Sequence, residues 1–332
     1  MKTEKVMLQD LCVPCANRCR HCLLSWTERT VGVPWEQAAD FALRFKAGLQ
    51  GQRPELEFSF TFGYSMEHPE LEKALRFLRE TGSPQAEFLQ CDGMDMRGEA
   101  ECAELVRMLE REGVKHLNFT LYGLEEQHDR FARRAGDYAL IFRMLRAARE
   151  AGLMTSAGIM LTNENAGEAE ELLSLLRAAD CGKATLIIPH GEGRGGGLES
   201  LRLTGSELMR LPASVRGLIN GRVFRTEGEW VSGDYEEETK RQLIISLRQD
   251  NFERYSAMEP EEIVAEAEEL DDNYYAAFPG FYELAERYGD PAGDRLFSQR
   301  DLFHYYRRLY AADTGLKVYD VTDERQTGSR RY

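Results

Sequence analysis

The sequence predicts an α/β fold built on parallel strands. Six short apolar runs, each followed by an amphipathic helical stretch, fill residues 1–220. Several of these stretches end just before a glycine, which readily takes the left-handed conformation at a helix end. Strands and helices that alternate at this spacing imply a parallel sheet with right-handed crossovers. Six units are too few for a closed eight-stranded barrel, so a partial barrel and an open doubly wound sheet remain as alternatives.

The elements can be assigned in chain order from the apolar periodicity. Strands are predicted over residues 6–13, 56–62, 86–91, 116–121, 155–161 and 184–188. Helices are predicted over residues 35–49, 69–79, 99–112, 138–151, 167–179 and 206–218. In both candidate architectures ligands bind beyond the carboxyl ends of the strands. The loops that follow the strands are therefore the places to look for chemistry.

The pattern changes after about residue 220. Strands are predicted over 222–231 and 243–247 and an acidic helix over 261–270, followed by an aromatic-rich stretch. Spacing such as Leu302, Tyr305, Tyr306 and Leu309 is typical of core packing on a helix. We expect a first domain over residues 1–220, a smaller α+β substrate or lid region over 221–322, and a flexible tail over 323–332.

Composition narrows the function classes. The chain has 332 residues and a net charge of −15, which disfavours nucleic acid as a partner. No apolar run approaches the ~20 residues of a membrane span, and the N-terminus leads straight into a strand. We therefore expect a cytoplasmic protein with no membrane partner and with reduced cysteines.

Cysteines cluster at the end of the first predicted strand. Four of the seven lie in the first 22 residues: Cys12, Cys15, Cys19 and Cys22. The spacing is too tight for a zinc site of two CxxC pairs and lacks the Cys-Pro of bacterial ferredoxins. A disulfide switch does not account for four cysteines. The remaining interpretation is an iron–sulfur cluster on three cysteines that leaves one iron open, with Cys12 as a strand residue.

The motif Cys15-x3-Cys19-x2-Cys22 after the first strand resembles that of the radical S-adenosylmethionine (SAM) superfamily, and the resemblance extends over residues 4–220. It implies a partial (β/α)6 TIM-like barrel in which these three cysteines bind a 4Fe–4S cluster and the open iron binds SAM. An external electron donor of the flavodoxin or ferredoxin type would drive reductive cleavage of SAM to a 5′-deoxyadenosyl radical. That radical would abstract hydrogen from a substrate, in oxygen-sensitive chemistry.

The resemblance also implies SAM-binding positions. His21 stands where relatives carry an aromatic residue near the adenine. Gly63, Tyr64 and Ser65 stand where relatives carry a Gly-Gly-Glu-Pro stretch that receives the SAM amino group, but the glutamate is not in register here. Weaker resemblances add further positions on or after the third to sixth strands: Asp92, Thr120, Gly158, Asn163 and Arg194. Of these, Asp92 with Gly93 resembles the Asn-Gly turn of the family.

Three residues are candidates for the chemistry on the substrate. Cys91 ends the third predicted strand and is a candidate hydrogen-atom donor, although a buried strand thiol is the commoner case. Tyr122 and Glu67 are polar groups expected at the same end of the strands. Each is more readily explained as a substrate contact or loop anchor.

The function hypotheses differ in substrate. The first is a radical SAM enzyme acting on a ribosomal peptide, which is slightly favoured, and the second is the same chemistry on a small metabolite such as a sugar, nucleoside or amino acid. The third is a non-catalytic iron–sulfur protein for electron transfer or sensing. No cysteine follows Cys181, so we expect a single cluster. The outcome, whether epimerisation, cross-linking or rearrangement, is left open.

Overall fold

The structure is a computed structural model that describes residues 1–10, 15–22, 32–62, 66–83, 86–191, 193–219, 223–233, 235 and 239–317. Its strands are β1 (Lys2–Asp10), β2 (Glu57–Thr61), β3 (Phe88–Gln90), β4 (His116–Leu121), β5 (Met154–Met160), β6 (Lys183–Ile187), β7 (Phe224–Thr226), β8 (Lys240–Leu247) and β9 (Leu296–Ser298).

The helices of the first two thirds of the chain are α1 (Trp35–Gln52), α2 (Leu71–Glu80), α3 (Glu99–Arg111), α4 (Glu125–Ala132), α5 (Asp137–Glu150), α6 (Ala169–Ala178), α7 (Gly205–Arg210) and α8 (Ala213–Arg216). Those that follow are α9 (Glu227–Ser232), α10 (Phe252–Ser256), α11 (Pro260–Ala276), α12 (Phe281–Tyr288) and α13 (Gln299–Thr314). Short 3₁₀ segments cover Ala166–Glu168 and Gly193–Leu201.

The strands form two parallel sheets and one short antiparallel pair. The parallel sheets have the orders β2-β1-β8 and β3-β4-β5-β6, and β7 pairs with β9. This confirms the α/β class and is consistent with a partial TIM-like barrel. In the part of the chain that the structure describes, the strands do not close into a complete barrel.

Strand β8 lies beside β1 in parallel, with Val6 opposite Leu243 and Leu8 opposite Ile245. The sequence predicted a strand here but placed it in the C-terminal region. The division of the chain near residue 220 remains a prediction.

Two other elements differ from the prediction. The expected strand over 222–231 is the short β7 followed by α9, because Thr226 accepts a hydrogen bond from the Glu229 N–H and Glu229 bonds back to Thr226, which starts a helix. The expected helix over 206–218 is split into α7 and α8, since Pro212 cannot continue the hydrogen-bonding of α7.

Alternation along the strands separates a core face from an inner face of each parallel sheet. Val6 and Leu8 of β1 and Leu117, Phe119 and Leu121 of β4 are fully buried in the main hydrophobic core. The residues between them point the other way. These intervening positions define the inner face, and they are mostly polar where a closed barrel would be filled with Val, Ile and Leu.

The C-terminal helix α13 is fastened to the segment that follows β6. Arg202 donates to Asp301 Oδ2 at 2.6 Å and to two backbone carbonyls, and the Gly191 N–H donates to Asp301 Oδ1 at 2.8 Å. Arg202 and Asp301 are both buried, so removal of Arg202 leaves the Asp301 carboxylate without its buried counter-charge. None of the helices in the described part of the chain has the length and apolar character needed to cross a bilayer.

Candidate functional site

The cysteine loop, residues 15–22, is held against the ends of β3 and α4 by backbone hydrogen bonds. The Ala16 N–H donates to the Gly93 carbonyl at 2.8 Å. The N–H groups of Arg18 and Arg20 donate to the carbonyls of Ala132 and Phe131, both at 3.0 Å. The loop is therefore positioned by the neighbouring βα unit as well as by β1.

All three cysteines of this loop are thiols rather than disulfides, and each is partly exposed. Burial raises the pKa of Cys15 to about 11, and nearby Asp92 and Cys22 also raise it. Burial raises the pKa of Cys19 well above its usual range, and Cys15 and Cys22 add to this effect. Bound iron would stabilise the thiolate form that burial disfavours.

This donor set fits an iron–sulfur cluster better than a single ion. Within the described residues, no three His, Cys, Asp or Glu side chains converge on a point where one metal ion would sit. A cluster does not need such convergence, because each of its thiolates binds a different iron.

Gly93 leaves the space that the first cysteine occupies. Its φ of 66° favours glycine, and a Cβ there would lie 2.1 Å from Cys15 Sγ. The Asp92-Gly93 turn predicted from the sequence therefore packs directly on the cysteine loop. Any side chain at residue 93 would displace Cys15.

Aromatic rings form a wall beside Cys19. Tyr122 stacks on Phe131 with ring centroids 4.7 Å apart, and its hydroxyl donates to Cys19 Sγ at 3.5 Å. His21 packs against the same two rings, 5.1 Å from Tyr122 and 5.7 Å from Phe131. Burial raises the pKa of Tyr122 well above its usual value, so its hydroxyl keeps the proton that it donates.

A buried carboxylate, Asp137, joins this wall to the cysteine loop. Its Oδ2 accepts from Asn17 Nδ2 at 2.7 Å and from His128 Nε2 at 3.0 Å, while Arg134 Nη1 lies 3.5 Å from Oδ1. His128 Nδ1 accepts the Tyr122 N–H at 3.3 Å, which places the ring hydrogen on Nε2. Sequence reasoning missed Asp137 and Asn17 as site residues.

A polar ladder crosses the inner face of β3, β4 and β5. Asp92 accepts from the Thr120 N–H at 2.9 Å, from Thr120 Oγ1 at 3.0 Å and from Gln90 Nε2 at 2.6 Å. The ladder continues through Asn118, which donates to Gln90 Oε1 at 2.6 Å and accepts from Ser156 Oγ at 2.6 Å. Desolvation raises the pKa of Asp92 despite these hydrogen bonds, which is common at functional sites.

The inner face of the other sheet is different. Its register places Ser59, Gln242 and Ser246 on the face opposite to Val6 and Leu8. Ser59 Oγ, Gln242 Nε2 and Ser246 Oγ are buried without a hydrogen-bond partner among the described residues. Buried polar atoms normally have a partner, so this face is suited to a hydrogen-bonding ligand or solvent.

Several predicted site residues lie away from the cysteine loop. Cys91 is fully buried in the main core, on the opposite face of its strand from Gln90 and Asp92, so the expected orientation toward the strand ends is not seen. Glu67 forms a two-point ion pair with Arg97 and accepts the Asp95 N–H at 2.9 Å. Both carboxylate oxygens are therefore engaged.

The remaining predicted positions differ in where they lie and in whether the structure describes them. Gly158 pairs with Thr120 and Thr185 in the middle of the sheet. Asn163 is exposed and donates to the Ser200 carbonyl at 3.0 Å. Arg194 lies in the 3₁₀ segment after β6, and the description does not extend to its side chain; Cys12, Gly63, Tyr64 and Ser65 lie outside the described residues.

Asn165 is a further residue that sequence reasoning missed. Its amide donates to the carbonyls of Tyr122 at 2.9 Å and Met160 at 2.7 Å. It therefore ties the ends of β4 and β5 together beside the aromatic wall. The signal that the sequence offered was an asparagine five residues past the end of β5.

The parallel α/β fold is the one expected for the class of enzymes that the cysteine motif resembles. The family model described as the Radical SAM superfamily matches residues 13–176. The chain belongs to the radical SAM superfamily.

Solved structures that resemble this chain are distant in sequence. SuiB from Streptococcus suis, bound to S-adenosylmethionine, is 12% identical with a TM-score of 0.50; the match covers 73% of this chain and 58% of SuiB. SuiB bound to the precursor peptide SuiA gives a TM-score of 0.49 at 12% identity over the same shares. Coproporphyrinogen III oxidase (HemN) from Escherichia coli is 16% identical with a TM-score of 0.39, covering 57% of this chain and 44% of HemN.

The chain thus spans 58% of the length of SuiB. No curated protein matches it.

Proposed function

We propose that this protein cleaves SAM reductively at a single 4Fe–4S cluster held by Cys15, Cys19 and Cys22 and acts on an organic substrate. The observation that carries the proposal is the cysteine loop itself. It carries three cysteine thiols within the eight residues 15–22, and it is fastened to the end of the βα unit at Gly93 and Phe131. When bound, the cluster and SAM would supply a 5′-deoxyadenosyl radical.

The chain's own residues position and shield this chemistry. The wall of His21, Tyr122 and Phe131 covers one side of the loop and shields Cys19 from water on that side. Asp92 and Thr120 present hydrogen-bonding groups at the strand ends, where we propose that they contact SAM, with Gly158 on the neighbouring strand. The electron would come from an external flavodoxin or ferredoxin type of donor.

Iron and sulfide analysis tests the metal site directly. After anaerobic reconstitution, we expect about four iron and four sulfide per chain, which is the content of one 4Fe–4S cluster. Serine at Cys15, Cys19 or Cys22 should remove most of this iron, whereas serine at Cys181, which is remote in sequence from the loop, should not. Equal iron in the Cys19→Ser and Cys181→Ser variants would contradict the assignment.

For the substrate, we propose a ribosomal peptide. The Tyr122-Gly123 loop with Glu126, His128 and Asp129 resembles a pattern common in peptide-modifying members of the superfamily. SuiB, which has the same fold, has been solved with a precursor peptide. Peptides also present the backbone amides that the unpaired polar atoms of Ser59, Gln242 and Ser246 can bind.

A small polar metabolite is the second candidate, since the same inner face also suits hydroxyl groups. Addition of a true substrate should raise 5′-deoxyadenosine production above the uncoupled rate and change the mass of that substrate. A screen of peptides against sugars, nucleosides and amino acids therefore decides between the two classes. A response to a metabolite and to no peptide would overturn the peptide assignment.

A further inference from the structure

We propose that the Tyr122 hydroxyl tunes the reduction potential of the cluster through its hydrogen bond to Cys19 Sγ, and that Asn17, Asp137 and His128 hold it in place. This inference rests on the proposed function, because it assigns Cys19 as a cluster ligand. It concerns a positioning residue rather than a group that touches substrate.

The contact is the first step. Tyr122 Oη lies 3.5 Å from Cys19 Sγ, and an O–H group at that distance can donate to sulfur. Hydrogen bonds to the sulfurs of a cluster are among the factors that set its potential. A donor to a ligand thiolate stabilises the state with more negative charge, which is the reduced state.

The second step is that the hydroxyl has little freedom to turn away. The Tyr122 side chain is 3% exposed. Its ring is stacked on Phe131 at 4.7 Å and on His128 at 5.1 Å, so it cannot swing without moving one of them. The hydrogen bond is thus supported by the packing of the Tyr122 ring against two neighbouring rings.

The third step is a network of hydrogen bonds that connects Tyr122 to the cysteine loop. Asn17, which lies between Cys15 and Cys19, donates to Asp137 at 2.7 Å. Asp137 accepts from His128 at 3.0 Å, and His128 accepts the Tyr122 N–H at 3.3 Å. The residue that donates to Cys19 and the loop that carries Cys19 are therefore held by the same buried carboxylate, which is 3% exposed.

The reaction that this arrangement affects is the one-electron reduction of the cluster. The external one-electron donor is oxidised and the cluster is reduced by one electron. No bond is broken and no proton is transferred, since Tyr122 keeps its hydrogen. The hydroxyl changes only the equilibrium of that electron transfer.

A redox titration of the Tyr122→Phe variant tests the inference. The reconstituted full-length protein without SAM is poised at a series of potentials, and its reduced cluster is quantified by electron paramagnetic resonance. Only the part of the hydrogen-bond energy that differs between the oxidised and the reduced cluster shifts this equilibrium, so we expect reduction to become several-fold, up to about tenfold, less favourable. For one electron, tenfold corresponds to about 59 mV toward more negative potential.

The matched control is Tyr310→Phe, the same change in α13, where the ring contacts Phe278 and Arg287. The control should titrate as the wild type does. A Tyr122→Phe variant with a full cluster and an unchanged potential would overturn the inference.

A second measurement applies if Tyr122→Phe fails to load its cluster. Electron–nuclear double resonance of the wild-type reduced cluster in H2O and D2O should show an exchangeable proton coupled to the cluster; its absence would overturn the inference. A wild-type protein that binds no cluster would overturn the proposed function as well. A wild type that binds a cluster and cleaves SAM, with no such proton, overturns the tuning role alone.

Discussion

The two parallel sheets present polar inner faces that are satisfied in different ways. On β3, β4 and β5 the polar side chains pair with one another, from Asp92 through Asn118 to Ser156. On β2, β1 and β8, buried atoms of Ser59, Gln242 and Ser246 have no partner among the described residues. In the β3-β4-β5-β6 sheet, the polar side chains therefore stabilise one another beside the cysteine loop. In the β2-β1-β8 sheet, the buried polar atoms keep hydrogen-bonding capacity for a ligand.

Removal of Asp137, which supports the cysteine loop beside the β3-β4-β5-β6 sheet, should have the largest effect on stability. Asp137→Ala removes the acceptor shared by Asn17, His128 and Arg134, and loss of one partner of a buried charged pair costs about 3–5 kcal/mol. Chemical denaturation measures the free energy of unfolding. Asp313→Ala, which breaks an ion pair that is half exposed, should cost less than about 1 kcal/mol. Equal losses of unfolding free energy in the two variants would show that the hydrogen bonds and ion pair of Asp137 do not stabilise the fold.

A pair of serine-to-alanine variants compares the two inner faces directly. Ser156→Ala leaves Asn118 Oδ1 and the His116 ring without their hydroxyl partner and should cost about 1–3 kcal/mol. Ser246→Ala removes a buried hydroxyl that has no described partner, so it should not destabilise the protein and should be neutral or stabilising by about 1 kcal/mol. Equal losses of stability for the two serine variants would contradict the difference between the inner faces of the two sheets.

Cys91→Ala tests the core position of that thiol. Because Cys91 is fully buried in the main core, its truncation should cost about 1 kcal/mol by loss of packing. Iron content and 5′-deoxyadenosine production should stay at wild-type levels. A variant of normal stability that no longer turns over substrate would instead support the hydrogen-donor role considered from the sequence.

The smallest expected effect is the pH dependence contributed by Asp92. Its pKa is raised in the folded state by desolvation, so the unfolded chain loses this proton at lower pH than the folded chain does. The group's favourable contribution is present below its unfolded pKa near 4 and is lost as pH rises through the folded pKa.

Asp92→Asn replaces the carboxyl group with an amide that does not ionise, so this variant does not lose stability as pH rises through the pKa of Asp92. The stability of Asp92→Asn relative to wild type should therefore increase as pH rises from about 4 through that window. Asp250→Asn provides a control of opposite sign, since Arg248 lowers the pKa of Asp250. A relative stability of Asp92→Asn that is flat or falling with pH would contradict the desolvation of Asp92.

Local patterns were sufficient to predict part of the site. The cysteine spacing and the alternation of strands with helices are both short-range features, and they predicted the parallel α/β fold and the loop on which the thiols lie. The Asp92-Gly93 turn was also visible, because its two residues are adjacent and directly follow a strand. The orientation of Cys91 was available as well, since polar Gln90 and Asp92 flank it and neighbouring strand side chains face opposite ways.

The contacts that hold the site together were not visible in this way. Asn17 and Asp137 are separated by 120 residues, and nothing in either local pattern indicates the other. The pairing of β8 with β1 joins residues at opposite ends of the chain, such as Lys2 and Lys240. Short apolar runs predict that a strand exists but do not specify its neighbour.

The production of 5′-deoxyadenosine tests the central claim most directly. The full-length protein, loaded with its cluster under anaerobic conditions, is incubated with SAM and dithionite, and the products are separated by liquid chromatography with mass detection. We expect 5′-deoxyadenosine and methionine from the wild type and none above background from Cys19→Ser. A wild-type protein that contains a full 4Fe–4S cluster and forms no 5′-deoxyadenosine would contradict the account and favour an electron-transfer or sensing role.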